Sequence, residues 1–318
     1  MPLSARHRPL SRRAFLRLAG LLVAGETAVA CGSPPTPTVA PTAVPPPTAT
    51  PLPSPTPTAT PQTPTPTPSA TPTNTPTATS TPTPTPTRGP LQVIVLIHGP
   101  ARTLVVDNVL VRFNVQHKNI RIDRGETVPD LRDYDAVIFA GGEYRPDEFD
   151  DPIFDQERQR ILEALEADVP ILGICLGHQL LAYWLGGEVQ RGRWEVGWLP
   201  ITVNKAGQAD PLLAGLGEEF YGFLWHGDQV TRLPPGAVLL ASSERCRVQV
   251  YRLSGRPVWG LQFNPQYDPV IAEELVRVTD WLPKYGWDVE EIVAAGYREY
   301  DDLAGTIFGN FFRAVEGR

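Results

Sequence analysis

The sequence predicts an α/β fold for its carboxy-terminal part, a sheet with helices packed on its faces. Short apolar runs that suit buried strands alternate there with amphipathic segments that suit helices. About 230 residues follow Gly89, which is enough for one full globular domain and too few for two. This length excludes a multidomain synthetase, and no internal repeat is found.

The individual elements follow in order along the chain. Strands are predicted where apolar residues run together between turn residues, and helices where apolar residues recur three and four positions apart. The predicted strands cover residues 93–98, 135–140, 169–173, 198–203, 221–225, 237–241, 248–251 and 258–263; the predicted helices cover residues 154–167, 176–185, 270–281 and 303–315.

Residues 1–30 have the features of an export signal. The paired arginines Arg12 and Arg13 precede a weakly apolar run that Glu26 interrupts. This run is too short to cross a bilayer core, which needs about 20 apolar residues, so a signal peptide is predicted. The pattern resembles a twin-arginine signal, whose pathway exports folded proteins. An ordinary basic signal peptide is the alternative.

A lipid anchor is predicted at Cys31. The small residues Ala28-Val29-Ala30 come directly before this cysteine, which resembles a bacterial lipobox, although the first position of that motif is usually Leu. Cleavage would make Cys31 the first residue, and more than one acyl chain on it gives stable membrane anchoring. We therefore expect an exported lipoprotein, at the cell surface or in the periplasm. Simple cleavage after Ala30 is the alternative.

Residues 31–89 are interpreted as a disordered Thr/Pro-rich stalk. The segment from Pro34 to Pro90 contains 21 of the 36 prolines, and no charged residue occurs between Cys31 and Thr87. Such a composition cannot bury a core, and it favours an extended polyproline II spacer. The globular domain then comprises residues 90–318.

The charge balance restricts the partners of this domain. Residues 1–30 contain five arginines and one glutamate, so the rest of the chain carries 23 basic and 34 acidic residues. An acidic domain lacks the positive surface of a nucleic-acid binder. No nucleic-acid partner is expected, and the membrane is expected to be reached through the lipid anchor alone.

The junction between strand 169–173 and the helix that follows has the pattern of a nucleophile elbow. It reads G-I-C-L-G-H-Q from Gly173 to Gln179. Glycines two positions before and after Cys175 permit a strained turn that displays the side chain, and the helix N-terminus favours the thiolate. A buried cysteine is otherwise an inert small hydrophobe. The pattern therefore predicts a nucleophilic thiol.

Several segments around and after the elbow resemble the class I glutamine amidotransferases, most closely the stand-alone proteins similar to the amidotransferase domain of GMP synthetase. The further segments are L-L-A at 180–182, G-G-E-V at 186–189, E-V-G-W at 195–198, L-W-H-G-D at 224–228, L-P-P-G-A at 233–237 and G-L-Q-F at 260–263. The resemblance covers the chain from about residue 92. It implies a three-layer, flavodoxin-like domain with a central, mostly parallel sheet.

The resemblance also implies a chemistry. In this family a cysteine attacks the carboxamide of glutamine, a histidine transfers protons, and a glutamate orients the histidine. Cys175 stands at the nucleophile position. The resemblance places the oxyanion-binding backbone at Gly141, Gly142 and Leu176, and the glutamine pocket at Gln179 and His226.

The sequence departs from the family at the other two catalytic positions. The family has Phe-His-Pro-Glu where this chain reads Phe263-Asn264-Pro265-Gln266. Asn264 and Gln266 keep roughly the size and hydrogen bonding of His and Glu, but neither carries a proton near pH 7. None of the five histidines follows His226, which leaves that residue as the candidate for an unusual base. Glu143 replaces the usual Pro and puts a carboxylate beside the oxyanion turn.

No metal site and no cofactor are expected. The cysteines and histidines lack zinc-binding spacing, and there is no glycine-rich phosphate loop. Cys246 is interpreted as a small core residue, with a disulfide to Cys175 as the alternative.

Three functions remain open. The first is a degenerate amidotransferase domain outside the cell that binds glutamine or a γ-glutamyl group with impaired or no hydrolysis. The second is an active exported glutaminase or γ-glutamyl hydrolase that uses Cys175 with an unusual base. The third is a surface interaction module without catalysis, whose protein partner the sequence does not identify.

Overall fold

A mixed sheet forms the centre of the computed structural model, which describes residues 89–99 and 105–318. The described strands number nine and lie in the order β2-β1-β3-β4-β9-β8-β7-β5-β6. Their bounds are β1 Leu91–His98, β2 Val115–Arg121, β3 Ala136–Gly142, β4 Ile171–Ile174, β5 Glu188–Val203, β6 Glu219–Arg232, β7 Ala237–Ser242, β8 Val250–Leu253 and β9 Val258–Leu261. The helices are α1 Val105–Leu110, α2 Asp155–Glu166, α3 Leu176–Trp184, α4 Lys205–Gln208, α5 Pro269–Arg277, α6 Val289–Glu299 and α7 Leu303–Glu316.

Strands β2, β1, β3, β4 and β9 run parallel to one another. Apart from the edge strand β2, they are nearly continuous apolar runs that are buried on both faces, as a parallel sheet covered by helices requires. Their carboxyl ends meet at one edge of the sheet. The ends of β3, β4 and β9 therefore bring residues 141–142, 175 and 262–264 close together.

The remaining strands are antiparallel and extend the sheet beyond β9. The long strands β5 and β6 pair along most of their length, with an irregular register between Arg191 and Glu195. This irregularity divides the ribbon into two arms. One arm pairs Glu195–Thr202 with Glu219–His226 and contains the register pairs Glu195↔His226 and Val196↔Trp225. It therefore brings the resemblance segments at residues 195–198 and 224–228 side by side.

Helices cover both faces of the parallel strands. Helices α1 and α7 pack on one face and contribute Val106, Leu110, Phe308 and Phe311 to its core. Helices α2 and α3 pack on the other face through residues such as Ile161 and Leu181. Helices α5 and α6 pack instead against the β5–β6 ribbon around Trp198 and Phe223. Within residues 89–99 and 105–318, no helix has both the length and the apolar character needed to cross a bilayer.

The predicted α/β fold class is confirmed. Strands β1, β3, β4, β7, β8 and β9 and helices α2, α3, α5 and α7 lie where the sequence predicted them, with bounds that differ by a few residues. The elements α1, β2, α4 and α6 were not predicted, and strands β5 and β6 extend far beyond the predicted residues 198–203 and 221–225. The predicted signal peptide and lipidated Cys31, and all of the stalk except Gly89, lie outside the described residues.

Candidate active site

Cys175 occupies the sharp turn between β4 and α3. Its backbone has φ 53° and ψ −105°, a region that non-glycine residues rarely adopt, and its N–H donates to the carbonyl of Leu261 at 2.7 Å. Backbone strain of this kind persists only where the surroundings impose it, and it is concentrated at functional sites. The turn predicted from the sequence is therefore present in the structure.

The two flanking glycines make this turn sterically feasible. A Cβ atom on Gly177 would overlap the carbonyl oxygen of Phe139, and one on Gly173 would lie 2.7 Å from Leu181 Cδ1 and 2.9 Å from the carbonyl oxygen of Gly177. The first turn of α3 thus packs directly on the backbone of β3. This close approach holds Cys175 beside the end of β3.

The surroundings of the Cys175 thiol favour its protonated form, although the residue as a whole is only half-buried. Withdrawal of the sulfur from water raises its pKa to about 11, an effect that hydrogen bonds from the Leu176 backbone and the Asn264 side chain only partly oppose. The carboxylate of Asp228 raises the pKa further. Because the thiolate is the reactive species, the thiol is a weak nucleophile at neutral pH.

Asn264 and Gln266 lie just after β9, on the Cys175 side of the sheet edge. The side chain of Gln266 donates from Nε2 to Asn264 Oδ1 at 3.3 Å, and Asn264 lies beside the thiol, whose pKa it lowers. Both side chains are buried, at 6% and 5% exposure. Asn264 therefore lies between Cys175 and Gln266. Neither of the two amide side chains exchanges a proton near pH 7.

The glycines of the predicted oxyanion turn lie against the elbow. A Cβ on Gly141 would be 3.4 Å from Cys175 Cβ and 3.8 Å from Asn264 Oδ1, and one on Gly142 would clash with Leu176 Cδ2. Leu176 donates its backbone N–H toward the thiol. Glu143, which follows this turn, has an exposed side chain.

Gln179 is tied to the pocket by its amide. Its Nε2 donates to the backbone carbonyl of Asp228 at 2.8 Å and to Gln262 Oε1 at 3.1 Å. The Nε2 of Gln262 then lies 3.9 Å from the sulfur of Cys175. Sequence reasoning named Gln179 as a pocket residue but did not name Gln262, although the resemblance segment at residues 260–263 contains it and was the available signal.

The two histidines of the resemblance segments have different surroundings. His178 is fully buried, and burial lowers its pKa to about 3, so the ring stays neutral against the ring of Tyr251. His226 is also buried, with Nδ1 3.1 Å from the Asp228 carbonyl oxygen and Nε2 3.2 Å from Glu195 Oε2. The Asp228 carbonyl therefore links His226 to Gln179, whereas the Nε2 edge of the ring faces Glu195.

Glu195 and Cys246 complete a second cluster of reactive side chains around His226. Burial alone would raise the pKa of Glu195, but hydrogen bonds from His226 and Ser243 outweigh it, so this pKa lies below its usual value. Cys246 is a free thiol, and so is Cys175, so the alternative of a disulfide between them is not realised. The sequence did not indicate this cluster, because its members lie on separate strands and loops.

Comparisons with known proteins place this geometry in a family. Residues 98–273 match the family model described as glutamine amidotransferase class-I. A GMP synthase (glutamine-hydrolyzing) subunit from Archaeoglobus fulgidus is 33% identical over 183 residues, which are 57% of this chain and 88% of that protein. The corresponding protein from Saccharolobus solfataricus is 38% identical over 144 residues, or 44% of this chain and 71% of that protein.

A solved structure agrees with these matches. The crystal structure of a glutamine amidotransferase from Thermotoga maritima superimposes with a TM-score of 0.63 at 26% sequence identity. The superposition covers 72% of this chain and 100% of that one.

Proposed function

Because the chain belongs to the class I glutamine amidotransferase family, we propose that it is an exported member that binds glutamine or a γ-glutamyl group but hydrolyses it slowly or not at all. The elbow, the oxyanion turn and the glutamine pocket serve binding. The replaced histidine and glutamate remove the proton transfer that hydrolysis requires.

The arrangement of Cys175, Asn264 and Gln266 at the end of β9 carries this proposal. Asn264 lies beside the thiol and Gln266 is hydrogen-bonded to Asn264, which is the order that a base and its orienting partner would need. An amide does not accept the thiol proton near pH 7. In the same site, the pKa of Cys175 of about 11 leaves little thiolate. The site thus keeps the arrangement of a catalytic site, but its side chains do not provide the proton transfer that hydrolysis requires.

The proposed location rests on the amino-terminal sequence. Arg12 and Arg13 suit a twin-arginine signal, Cys31 suits lipidation, and the uncharged Thr/Pro-rich segment suits a spacer between membrane and domain. Outside the cell, a domain of this kind is separated from the cytoplasmic nucleotides that an amidotransferase partner would aminate. Binding of a small ligand, rather than delivery of ammonia, fits that location better.

Covalent labelling tests the proposal directly. The full chain is exposed to an electrophilic glutamine analogue, and its intact mass is measured with and without excess glutamine. We expect a single adduct that glutamine suppresses, formed slowly at pH 7 and more quickly at alkaline pH. The matched control is Cys175→Ala, which removes the sulfur and leaves Cys246 and Cys31 in place.

The same experiment separates the three candidate functions. Folded protein that forms no adduct at any pH contradicts a retained glutamine pocket and favours an interaction module. Adduct formation together with rapid ammonia release from glutamine, lost in Cys175→Ala, contradicts impaired hydrolysis and favours a hydrolase with an unusual base. An adduct with little ammonia release is the result that the proposal requires.

A further inference from the structure

Three side chains that bind transition metals lie together beneath the loop that joins β7 to β8. Glu195 comes from β5, His226 from β6 and Cys246 from the loop. All three are at most 5% exposed, and their ligating atoms lie within 4.8 Å of one another. The antiparallel register places Glu195 directly opposite His226, so the pairing of β5 with β6 builds the site.

The hydrogen bonds of His226 define what its second nitrogen can bind. A carbonyl oxygen only accepts, so the contact between Nδ1 and the Asp228 carbonyl at 3.1 Å places a proton on Nδ1. In a neutral ring, Nε2 is then an acceptor, 3.2 Å from the carboxylate oxygen Oε2 of Glu195 and 3.5 Å from the amide Nε2 of Gln249. Two acceptors at this distance repel unless a positive charge lies between them. That charge is either a second ring proton or a metal ion.

The surrounding polar groups orient the carboxylate as outer-shell partners of a metal site do. Ser243 Oγ donates to Glu195 Oε1 at 2.7 Å, and Gln249 Nε2 donates to Glu195 Oε2 at 3.0 Å. The Asp228 carbonyl fixes the tautomer of His226 in the same way. Outer-shell hydrogen bonds of this type hold metal ligands in place and set their basicity.

We propose that Glu195, His226 and Cys246 bind one divalent cation of the zinc class, with Cys246 as a thiolate ligand. A donor set of imidazole nitrogen, thiolate sulfur and carboxylate oxygen suits Zn²⁺ and Co²⁺ and does not suit Mg²⁺ or Ca²⁺. Tetrahedral zinc holds such ligand atoms roughly 3.3–3.6 Å apart. The ligand atoms here lie within 4.8 Å of one another, so a bound cation would draw them closer together.

Proton release accompanies binding. A cysteine binds a cation of this class as a thiolate, so the free thiol of Cys246 must lose its proton when the cation binds. The cation takes the sulfur lone pair, the S–H bond breaks, and the proton leaves to solvent. Glu244, Arg245 and Arg247, which lie beside Cys246 in the loop, are exposed, so the site lies just beneath the surface.

Cobalt titration of the full chain tests this site. The protein is stripped with a chelator and titrated with Co²⁺, and the near-ultraviolet absorption of the thiolate-to-cobalt transition is followed. We expect one equivalent to bind, and one equivalent of Zn²⁺ to displace it, with metal content measured by elemental analysis. Cys246→Ser should abolish the thiolate band, whereas the matched variant Cys175→Ser should keep it.

Two further variants keep the test decisive. Glu195→Gln preserves the size of the side chain and should also lose tight binding, which covers the case in which Cys246→Ser fails to fold. Gln249→Ala removes an outer-shell donor and should weaken binding about 10- to 100-fold. Binding of less than one equivalent by the folded full chain overturns the proposal. An unchanged cobalt band in Cys246→Ser, or its loss in Cys175→Ser, overturns it as well.

Discussion

Asn264 and Gln266 differ from histidine and glutamate mainly in their inability to carry a proton near neutral pH. Both amides are buried and joined by a hydrogen bond, so the space that they fill is already shaped for a pair of planar polar side chains. Among the described residues, Oε1 of Gln266 is buried without a hydrogen-bond partner. The site therefore contains a buried polar atom without the hydrogen bond that buried polar groups normally make.

Restoring the acid–base pair should restore hydrolysis. We expect Asn264→His with Gln266→Glu to release ammonia from glutamine about 10²- to 10⁴-fold faster than the parent chain, because general acid–base catalysis contributes a factor of this size. Asn264→His alone should give less, since nothing then orients the ring. Adding Cys175→Ala to the double variant should return the rate to background. A folded double variant no faster than the parent chain would contradict a preserved pocket.

The protonated thiol predicts a steep pH dependence of labelling. With a pKa of about 11, the thiolate fraction at pH 7 is about 10⁻⁴, and the rate of reaction with an electrophilic glutamine analogue should rise about tenfold per pH unit up to about pH 10. The rate is measured by intact mass over time. In the double variant Asn264→His with Gln266→Glu, the introduced imidazolium should stabilise the thiolate and flatten the profile. A flat profile in the parent chain would contradict the raised pKa.

At the scale of elements, the active site depends on where three parallel strands end. Strands β3, β4 and β9 are buried on both faces, so their apolar runs are visible in the sequence, and the elbow glycines mark the turn into α3. These features made the position of Cys175 and of the Gly141-Gly142 turn predictable. Their contacts follow from parallel strands that finish at a common edge.

Elements with mixed polarity were less predictable. Strand β2 lies at the edge of the sheet and exposes most of its polar residues at least in part, so it lacks the apolar run of a central strand. Strands β5 and β6 extend through polar segments because they pair with each other, which is a long-range property that local pattern does not contain. The cluster of Glu195, His226 and Cys246 depends on this pairing, and for that reason the sequence did not indicate it.

The packing of α3 on β3 predicts that Gly177 tolerates no side chain. Gly177→Ala should lower the free energy of unfolding by about 1–3 kcal/mol, because its Cβ would meet the backbone of Phe139 and the junction would have to shift. It should also slow labelling of Cys175. Chemical denaturation of the full chain measures the first effect. Gly89→Ala, whose Cβ would meet no atom within 4 Å, is the control and should change stability by less than about 0.5 kcal/mol.

At the scale of the whole molecule, the proposed anchor and stalk would determine what the domain can reach. A polyproline II segment rises about 3.1 Å per residue, so the stalk would hold the domain up to roughly 150–180 Å from the membrane when fully extended. The chain after residue 30 has more acidic than basic residues, which disfavours adsorption of the domain onto an anionic lipid surface. A small diffusible ligand is accessible in this arrangement.

The export route gives a prediction that involves the whole chain. A twin-arginine signal requires its paired arginines, and the pathway accepts folded cargo, which suits a domain whose sheet joins strands distant in sequence. Conservative replacement of both residues, Arg12→Lys with Arg13→Lys, keeps the positive charge and should retain uncleaved precursor in the cytoplasm, as measured by cell fractionation and immunoblotting. Arg6→Lys with Arg8→Lys is the matched control and should be exported normally, because it changes the same number of arginines outside the pair. Normal export of the Arg12 and Arg13 variant would show that the segment acts as an ordinary basic signal peptide, in which charge alone matters.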